Sequence, residues 1–287
     1  MKKYLKLMRV HHNLKNVLIV LPLFFSTQIF QFDMLKRTLL AFLSFSFLSS
    51  AVYVINDIKD VEKDRQHSTK CKRPIASGAI NVRSAVVLAA VLLTAAGASN
   101  YFAAGTSVYA WFIPLAYLLL NLGYSFGLKS IPVLDICILA SGFFLRLLYG
   151  SSVTMIVLSK WLYLTVVAAS FYMGLGKRRN EIKREDSDTR KVLKLYVSSF
   201  LDKNMYMYLG IAIVFYSLWC VDLNTIERIG SDKLIWTVPV VIAICLKYSL
   251  NIEGDSDGDP IEVIFRDKIL MLLCLAYALI LFGLLYF

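Results

Sequence analysis

The sequence has few of the residues that most often bind transition metals or act as general bases. It contains three histidines, and His11, His12 and His67 do not form a spaced ligand set. Its five cysteines are scattered without a CxxC pair or a Cys/His pattern, which excludes a zinc site of the usual spacing. Four of the cysteines fall in apolar stretches, where we interpret them as small buried residues. Candidate metal ligands are therefore limited to oxygen donors.

Charge is also scarce. Of the 287 residues, 18% are charged and 58% are hydrophobic, whereas a soluble protein has roughly 25% charged residues. A membrane span needs about twenty apolar residues, and the chain has about nine such runs. We predict an all-α, polytopic membrane helical bundle with cytoplasmic cap loops, and a single domain covering residues 1–287, because no internal repeat or second domain is visible. The predicted spans are 17–32, 38–57, 82–101, 107–126, 133–150, 159–176, 206–221, 234–250 and 268–287.

The net charge of +11 is distributed unevenly over the loops between these runs. Twenty-five Lys and Arg residues lie at the amino terminus and in or at the ends of the loops after even-numbered spans, against five in or at the ends of the other loops. The positive-inside rule then predicts a cytoplasmic amino terminus, and the run after Lys15 is interpreted as span one, since it has no small-residue cleavage site. Basic residues that flank membrane spans suit anionic lipids and phosphorylated substrates, and they do not indicate a nucleic-acid partner.

One polar motif follows predicted span two, at its cytoplasmic end. If the helix continues through it, Asp57, Asp60 and Asp64 are spaced i, i+3, i+7, and Asn56 lies on the same face. Like charges at this spacing repel one another, and the carboxyl end of a helix is unfavourable for anions, so a cation is expected there. Hard oxygen ligands favour Mg²⁺, with substrate phosphates filling further coordination positions. The alternative is a solvated acidic turn.

Basic residues near this motif are candidate phosphate ligands. Lys72 and Arg73 follow it within a dozen residues, in a loop ordered by Pro74. Carboxylates that bind metal beside Arg and Lys are what diphosphate binding requires, although attraction to the membrane surface would also explain Arg73. Lys15 and Asn16 stand where the amino-terminal segment enters span one. They could reach a phosphate, and ordinary membrane anchoring explains Lys15 equally well.

Two further groups of polar residues are predicted on the cytoplasmic side. Tyr124, Lys129 and Asp135 surround a Gly/Pro turn between spans four and five. Arg146 lies inside span five, where an ionisable residue suggests contact with a substrate, although we favour a structural pair or an anchor facing the bundle.

The most basic block of the chain follows span six. There Lys177 and Glu181 share a helical face that Arg178 borders. We interpret the block as an anion cradle facing the aspartate cluster, with a stop-transfer anchor as the alternative. The acidic loop 251–260 does not match a calcium-binding loop and is interpreted as a mobile cytoplasmic loop that could act as a lid.

These motifs together resemble those of a known family. The Asn56-Asp57-x-x-Asp60-x-x-x-Asp64 pattern, the Arg-Pro loop after it and the predicted spans are similar to the UbiA superfamily of intramembrane prenyltransferases. Gly176-Lys177-Arg178 looks most like the branch of decaprenyl-phosphate phosphoribosyltransferases. The resemblance covers almost the whole chain. Typical members carry a second aspartate-rich motif after span six, and this chain has Lys177, Arg178 and Arg179 there, which suits substrates richer in phosphate.

The resemblance implies Mg²⁺-dependent transfer of 5-phosphoribose from phosphoribosyl diphosphate to a polyprenyl phosphate, for cell-envelope glycan precursors. It implies an enzyme of the cell membrane whose active site faces the cytoplasm, and a homo-oligomer is left open. The Asn/Asp motif would hold Mg²⁺ on the leaving diphosphate, helped by Lys72 and Arg73. Lys177 and Arg178 would orient a phosphate, and the remaining residues would shape the sugar pocket: Tyr124, Lys129 and Asp135. The alternatives are a prenyltransferase with an aromatic or lipid acceptor and, more remotely, a transporter.

Overall fold

The computed structural model describes residues 2–183, 191–254, 256 and 258–287, and these residues contain helices but no strands. The α-helices are α1 Lys2–Leu7, α2 Leu21–Phe25, α3 Phe32–Lys59, α4 Val61–Gln66, α5 Val82–Ala104, α6 Tyr109–Phe126, α7 Leu134–Thr154, α8 Lys160–Lys183, α9 Ser198–Cys220, α10 Leu223–Ile229, α11 Val238–Glu253, α12 Pro260–Arg266 and α13 Lys268–Tyr286. Short 3₁₀ helices are Val10–Ile19, Lys70–Lys72, Leu128–Ser130, Lys191–Leu195 and Lys233–Thr237. The prediction of an all-α fold is confirmed.

Several of these helices are long and apolar enough to cross a membrane. Within the described ranges six pass on length and composition, and a seventh passes if α9 and α10, which are bent by 55° at their junction, count as one span. The long helices α3, α5, α6, α7 and α13 coincide with predicted spans, and so does α11. The protein is therefore a multi-pass membrane protein, although the predicted total of nine spans is not confirmed.

The predicted first span, 17–32, is not a continuous helix. Residues Val10–Ile19 form a 3₁₀ helix, and the α-helix that follows, Leu21–Phe25, has five residues. Neither reaches the roughly twenty residues that a helical span needs. The predicted span 159–176 does correspond to a helix, α8, but the basic residues near its carboxyl end lower its mean hydropathy.

The chain contains two compact units, and the first comprises Met1–Leu23, Ile29–Lys129 and Leu145–Ile156. In this unit α3 packs closely along α5. Small residues line the contact, and the Ser44 hydroxyl donates to the Ala96 carbonyl at 2.9 Å. Such small residues let helix backbones approach one another in a membrane, where burial of apolar surface supplies little driving force. Phe45, Tyr117 and Tyr149 lie in the core of this unit.

The second unit comprises Phe24–Gln28, Ser130–Phe144 and Val157–Phe287. Its main contact is between α8 and α9, and α11 packs on α13. Tyr172, Leu175, Met205 and Ile252 are buried in its core. The predicted single domain over residues 1–287 remains a prediction.

Candidate active site

The predicted aspartate motif lies at the junction of α3 and α4 in the first unit. Helix α3 ends at Lys59, but the amide of Asp60 donates to the Asn56 carbonyl and that of Asp64 to the Asp60 carbonyl, at 2.9 and 2.8 Å. Helical spacing is therefore nearly kept across the break. Asp57 and Asp64 are buried, at 3% and 4% exposure. Buried carboxylates need charged or hydrogen-bonding partners.

Two arginines are the partners of these carboxylates. Arg73 Nη1 donates to Asp64 Oδ2 at 2.7 Å and to Asp57 Oδ1 at 3.1 Å, so a single guanidinium nitrogen bridges them. Arg9 Nη2 donates to the same Asp57 oxygen at 2.8 Å. The sequence prediction that Arg73 lies beside the aspartates agrees with this geometry. Two carboxylates and two guanidinium groups thus compensate one another's charge in this arrangement.

Arg9 was not among the predicted site residues. Its guanidinium also lies over the Tyr53 ring, with the Arg9 Cζ atom 4.9 Å from the ring centroid. Its backbone is left-handed, with φ 48°, a conformation that a non-glycine residue keeps only where its surroundings hold it. In the sequence Arg9 is one of several basic residues in a membrane-flanking segment, so no local signal separates it from the others.

The third carboxylate of the motif has a different partner. Lys129 Nζ lies 2.9 and 3.1 Å from the two oxygens of Asp60. Ser125, on α6, donates to the Asn56 side-chain oxygen at 3.0 Å. The turn after α6 thus brings Lys129 to the aspartate motif, as its predicted role in the site requires. Tyr124 lies partly buried beside Ser125, and Lys72 is exposed.

Asn16 and Arg146 contact each other within the first unit. Arg146 Nε donates to Asn16 Oδ1 at 2.7 Å, and both residues are buried. The guanidinium also lies over the rings of Phe45 and Tyr117, with Cζ 5.0 and 5.1 Å from the ring centroids. Lys15 is partly buried in the same segment.

In the second unit, Asp135 and Arg178 form a buried pair. Arg178 Nε donates to Asp135 Oδ2 at 2.6 Å and Nη1 to Glu181 Oε2 at 2.5 Å, and Asp135 and Arg178 are 0% and 1% exposed. Tyr196, which the sequence did not indicate, donates to Asp135 Oδ1 at 2.5 Å. Burial, reinforced by the Asp135 carboxylate, raises the pKa of Tyr196 above its ordinary value, so its hydroxyl stays protonated and remains a donor.

Tyr196 also stabilises the start of α7. Its oxygen accepts a hydrogen bond from the Val133 amide at 2.6 Å, and Val133 has a left-handed backbone with φ 68°. A β-branched residue in that conformation is strained, and the hydrogen bond offsets part of the cost. The tyrosine hydroxyl therefore joins the turn before α7 to the Asp135 carboxylate.

Replacing Tyr196 by phenylalanine is expected to destabilise the protein by about 1–3 kcal/mol, because the Val133 amide and Asp135 lose a buried partner. Thermal unfolding in detergent would measure the change. Tyr206→Phe is the matched control, because its hydroxyl also donates to a carboxylate, that of Glu253, but on an exposed side chain. Equal losses from the two variants would contradict the buried role of Tyr196.

The other two residues of the basic block, Lys177 and Arg179, also lie near carboxylates. Arg179 pairs with Asp202 on α9 and, at 2.6 Å, with Glu253 at the end of α11. Lys177 is the most exposed of the three, at 32% for its side chain, and has a distant partner, Asp259, at 3.8 Å. Within this unit the block thus binds neighbouring helices together, and Lys177 is the member best placed to contact a ligand.

The acidic loop after α11 packs against the same end of α8. Asn180 Nδ2 donates to the carbonyls of Ile252 and Ser256 at 2.8 and 3.1 Å. A side chain at Gly258, whose φ is +75°, would place its Cβ 2.7 Å from Lys177 Cα. The described parts of this loop therefore contact α8, and the mobile lid remains a prediction; Asp255 and Asp257 lie outside the described residues.

The oxygen ligands of the aspartate motif fit a hard divalent cation chemically. The side chains of Asp57, Asp60 and Asp64, with the Asn56 amide oxygen, include no nitrogen or sulfur ligand, which is the set that Mg²⁺ prefers. Among the described residues no three His, Cys, Asp or Glu side chains are grouped closely enough to hold an ion. In this arrangement Arg73 bridges Asp57 and Asp64, the place that a shared cation would take.

Comparisons with known proteins agree with this fold and these motifs. Two decaprenyl-phosphate phosphoribosyltransferases are similar in sequence: that of Corynebacterium glutamicum is 37% identical over 83% of this chain and 72% of its own. That of Mycobacterium tuberculosis strain H37Rv is 34% identical over 85% of this chain and 80% of its own. A UbiA homologue from Archaeoglobus fulgidus, solved with GPP and Mg²⁺, has a TM-score of 0.71 at 20% identity, over 98% of this chain and 99% of its own.

A UbiA homologue from Aeropyrum pernix K1 also shares the fold, with a TM-score of 0.64 at 16% identity, over 94% of this chain and 98% of its own. The model of the UbiA prenyltransferase family matches residues 17–272, from the end of the amino-terminal 3₁₀ helix into α13. This match includes the whole aspartate motif and the basic block. The chain therefore belongs to the UbiA prenyltransferase family.

Proposed function

We propose that the protein transfers the 5-phosphoribosyl group of phosphoribosyl diphosphate to a polyprenyl phosphate and releases diphosphate. The observation that carries the proposal is the similarity, at 34–37% identity over 83–85% of the chain, to enzymes named for transfer of phosphoribose to decaprenyl phosphate. The bond between ribose C1 and the diphosphate oxygen breaks, and its electron pair leaves with diphosphate. An oxygen of the acceptor phosphate forms the new bond to C1.

The aspartate motif is assigned to the leaving diphosphate. Asp57, Asp60 and Asp64, with Asn56, would hold Mg²⁺, whose chemistry there is to neutralise the negative charge that develops on diphosphate. Arg73 lies beside these carboxylates and is positioned to donate to phosphate oxygens, as a guanidinium does well. Lys72, exposed in the same loop, would assist. The fit of hard oxygen ligands supports this role.

No strong general base is required by this reaction. A phosphate monoester is already anionic near neutrality, with a second pKa of about 6, so the attacking oxygen needs no deprotonation by the protein. This agrees with the described residues around the aspartate motif, whose charged side chains are carboxylates, Arg9, Arg73 and Lys129. Rate enhancement would come from positioning and from neutralisation of charge.

Phosphate recognition is assigned to the basic block and to the turn after α6. Lys177 would contact the 5-phosphate of the donor or the phosphate of the acceptor, since it is the most exposed of the three basic residues. Arg178, with Glu181, is proposed to act in that recognition by holding the end of α8 on Asp135. Tyr124 and Lys129 would shape the sugar pocket, and Lys15 would lie near a phosphate. Asp135 and Asn16, predicted for the same roles, are fully buried and would act through the arginines that they bond, Arg178 and Arg146.

The cellular setting follows from the charge bias and the lipid substrate. The excess of Lys and Arg on one set of loops supports an active site that faces the cytoplasm, where phosphoribosyl diphosphate is available. We place the enzyme in the cell membrane and its product in the synthesis of cell-envelope glycan precursors. A lipid tail would lie along the apolar helices, open to the bilayer.

Purified protein in detergent, supplied with Mg²⁺, labelled phosphoribosyl diphosphate and polyprenyl phosphate, is expected to form a labelled lipid. Asp60→Asn should lose most of this activity, because Asp60 pairs with Lys129 and belongs to the proposed metal set. Chelation of divalent ions should abolish the product, and added Mg²⁺ should restore it. Formation of the labelled lipid at full rate in chelator would refute the metal role, and no labelled lipid at all would refute the reaction.

A further inference from the structure

The segment Val10–Ile19 has an unusual conformation for its length. It is a ten-residue 3₁₀ helix, whereas such helices seldom exceed three or four residues because their hydrogen bonds have poor geometry. Contacts to the surrounding helices must therefore stabilise it. Its amino-terminal neighbour, Arg9, contacts Asp57, so the position of this segment decides where Arg9 lies.

Three side chains fix the middle of the segment, and we call them the polar anchor: Asn16, Ser46 and Arg146. Arg146 donates to Asn16 Oδ1 at 2.7 Å, and Asn16 Nδ2 donates to Ser46 Oγ on α3 at 2.9 Å. Asn16 is 0% exposed, Ser46 6% and Arg146 5%. Burying amide and guanidinium groups costs free energy unless they are hydrogen-bonded. Only one position of the segment along α3 makes these hydrogen bonds, so they define its register.

Two more contacts hold the same segment. Ser49 Oγ donates to Asn13 Oδ1 at 3.3 Å, one turn of α3 beyond Ser46. At the far end, α7 approaches so closely that a Cβ on Gly150 would lie 2.0 Å from the Ile19 carbonyl oxygen. Only glycine allows this approach. The segment is thus fixed against α3 and α7 and cannot slide without breaking buried hydrogen bonds.

The anchor and the aspartate cluster are connected through this segment. At about 2.0 Å per residue in a 3₁₀ helix, the seven residues from Asn16 to Arg9 cover about 14 Å. A shift of Asn16 along the segment would displace Arg9 from Asp57 by a similar amount. The left-handed backbone of Arg9 also shows that its placement is imposed by the surrounding structure rather than by local preference.

We infer that Arg146 is a positioning residue for the aspartate cluster: through Asn16 it sets the register of Val10–Ile19 and so holds Arg9 on Asp57. This inference rests on the proposed function only for its kinetic consequence. Arg146 itself does not act on the substrate. Its two aromatic neighbours, Phe45 and Tyr117, keep its guanidinium in place for the bond to Asn16.

Hydrogen–deuterium exchange of the purified full-length protein, without substrates, tests the structural part. Arg146→Met and Asn16→Ala are each expected to speed exchange of the peptide covering residues 9–19 about tenfold, because a buried hydrogen bond is lost. Ser152→Ala is the matched control on α7, since the Ser152 hydroxyl bonds within its own helix to the Tyr149 carbonyl. Unchanged exchange of residues 9–19 in both anchor variants would overturn the inference, whatever the activity.

Kinetics test the connection to Arg9. In the wild-type background, Arg9→Met is expected to lower kcat/KM for the donor about tenfold to a hundredfold, because the guanidinium beside Asp57 is removed. Arg146→Met is expected to have the same effect, because it displaces that guanidinium, and small displacements of charged groups in a site lower the rate strongly. In the Arg146→Met background, Arg9→Met should then have less than a twofold further effect. Fully multiplicative effects would show that Arg146 has only a general structural role and would overturn the inference.

A conservative variant covers the case in which Arg146→Met fails to fold. Arg146→Lys keeps a positive donor for Asn16 and should restore much of the protection of residues 9–19 and of kcat/KM. If Arg146→Lys folds but exchanges as fast as Asn16→Ala, the inference fails. An absence of phosphoribosyl transfer in the wild-type protein would remove the proposed function, and the exchange measurements would still decide whether the anchor positions the segment.

Discussion

Replacing Asp57 by asparagine is expected to lower phosphoribosyl transfer about 10²–10³-fold, the usual cost of removing one preorganised electrostatic contact from an active site. Asp57 is buried and is the carboxylate that both Arg9 and Arg73 contact. Asparagine keeps the size of the side chain but removes its charge. Of the two buried carboxylates, only Asp64 then remains to neutralise the guanidinium groups of Arg9 and Arg73. The proposed metal set also loses a ligand charge. Initial rates at saturating Mg²⁺ measure the effect.

The matched control for Asp57→Asn is Glu62→Gln, five residues along the same stretch. Glu62 is an acidic residue of α4 whose side chain is 75% exposed and pairs with Arg65 on the surface at 2.8 Å. Exposed pairs of this kind contribute little, so the rate should change less than twofold. A large loss from Glu62→Gln, or a rate near wild type for Asp57→Asn, would mean that the general negative charge of the region matters rather than the buried carboxylate.

Replacing Arg178 by methionine is expected to destabilise the protein by about 3–5 kcal/mol, because it leaves a buried carboxylate without its partner. Asp135 is fully buried and has Arg178 and Tyr196 as its hydrogen-bond donors. The free energy of unfolding, or the midpoint of thermal unfolding in detergent, measures this loss. Lys183→Met on the same helix is the control, because the Lys183 side chain is 50% exposed and its partner Glu253 is 3.6 Å away.

A double variant separates loss of the pair from loss of packing. Asp135→Asn combined with Arg178→Met removes the uncompensated charge, so the double variant should be more stable than Arg178→Met alone. If the two losses simply add, the pair does not act as a unit. If Arg178→Met is as stable as Lys183→Met, Arg178 is not the structural partner of Asp135, and the original prediction of direct phosphate contact gains support.

The sequence was sufficient to predict that the carboxylates of the aspartate motif lie near Arg73. The spacing of seven residues brought Asp57 and Asp64 to the same guanidinium because helical hydrogen bonds continue across the break at Asp60. Asp60 instead pairs with Lys129. Arg73 lies nine residues from Asp64, so a short loop could bring them together. The family resemblance and the all-α membrane fold were likewise visible in the motifs and in the composition, and both are confirmed.

Contacts between distant parts of the chain could not be predicted in the same way. Arg9 reaches Asp57 across 48 residues, and it is one of five Lys and Arg residues between Lys2 and Lys15. Asp135 lies 43 residues from Arg178, so the sequence showed a cationic block but not the carboxylate that neutralises part of it. The predicted first span was wrong for a related reason: an apolar run shows that residues avoid water, but not that they form one straight helix.

The central claim, that the donor is a sugar diphosphate rather than a prenyl diphosphate, is tested most directly by a competition for donor. Purified protein with Mg²⁺ is given equal concentrations of phosphoribosyl diphosphate and a prenyl diphosphate, together with polyprenyl phosphate and an aromatic acid, and the lipid products are identified by mass spectrometry. Phosphoribosylated polyprenyl phosphate as the main product is the predicted result. A prenylated acceptor, with phosphoribosyl diphosphate left unconsumed, would contradict the account.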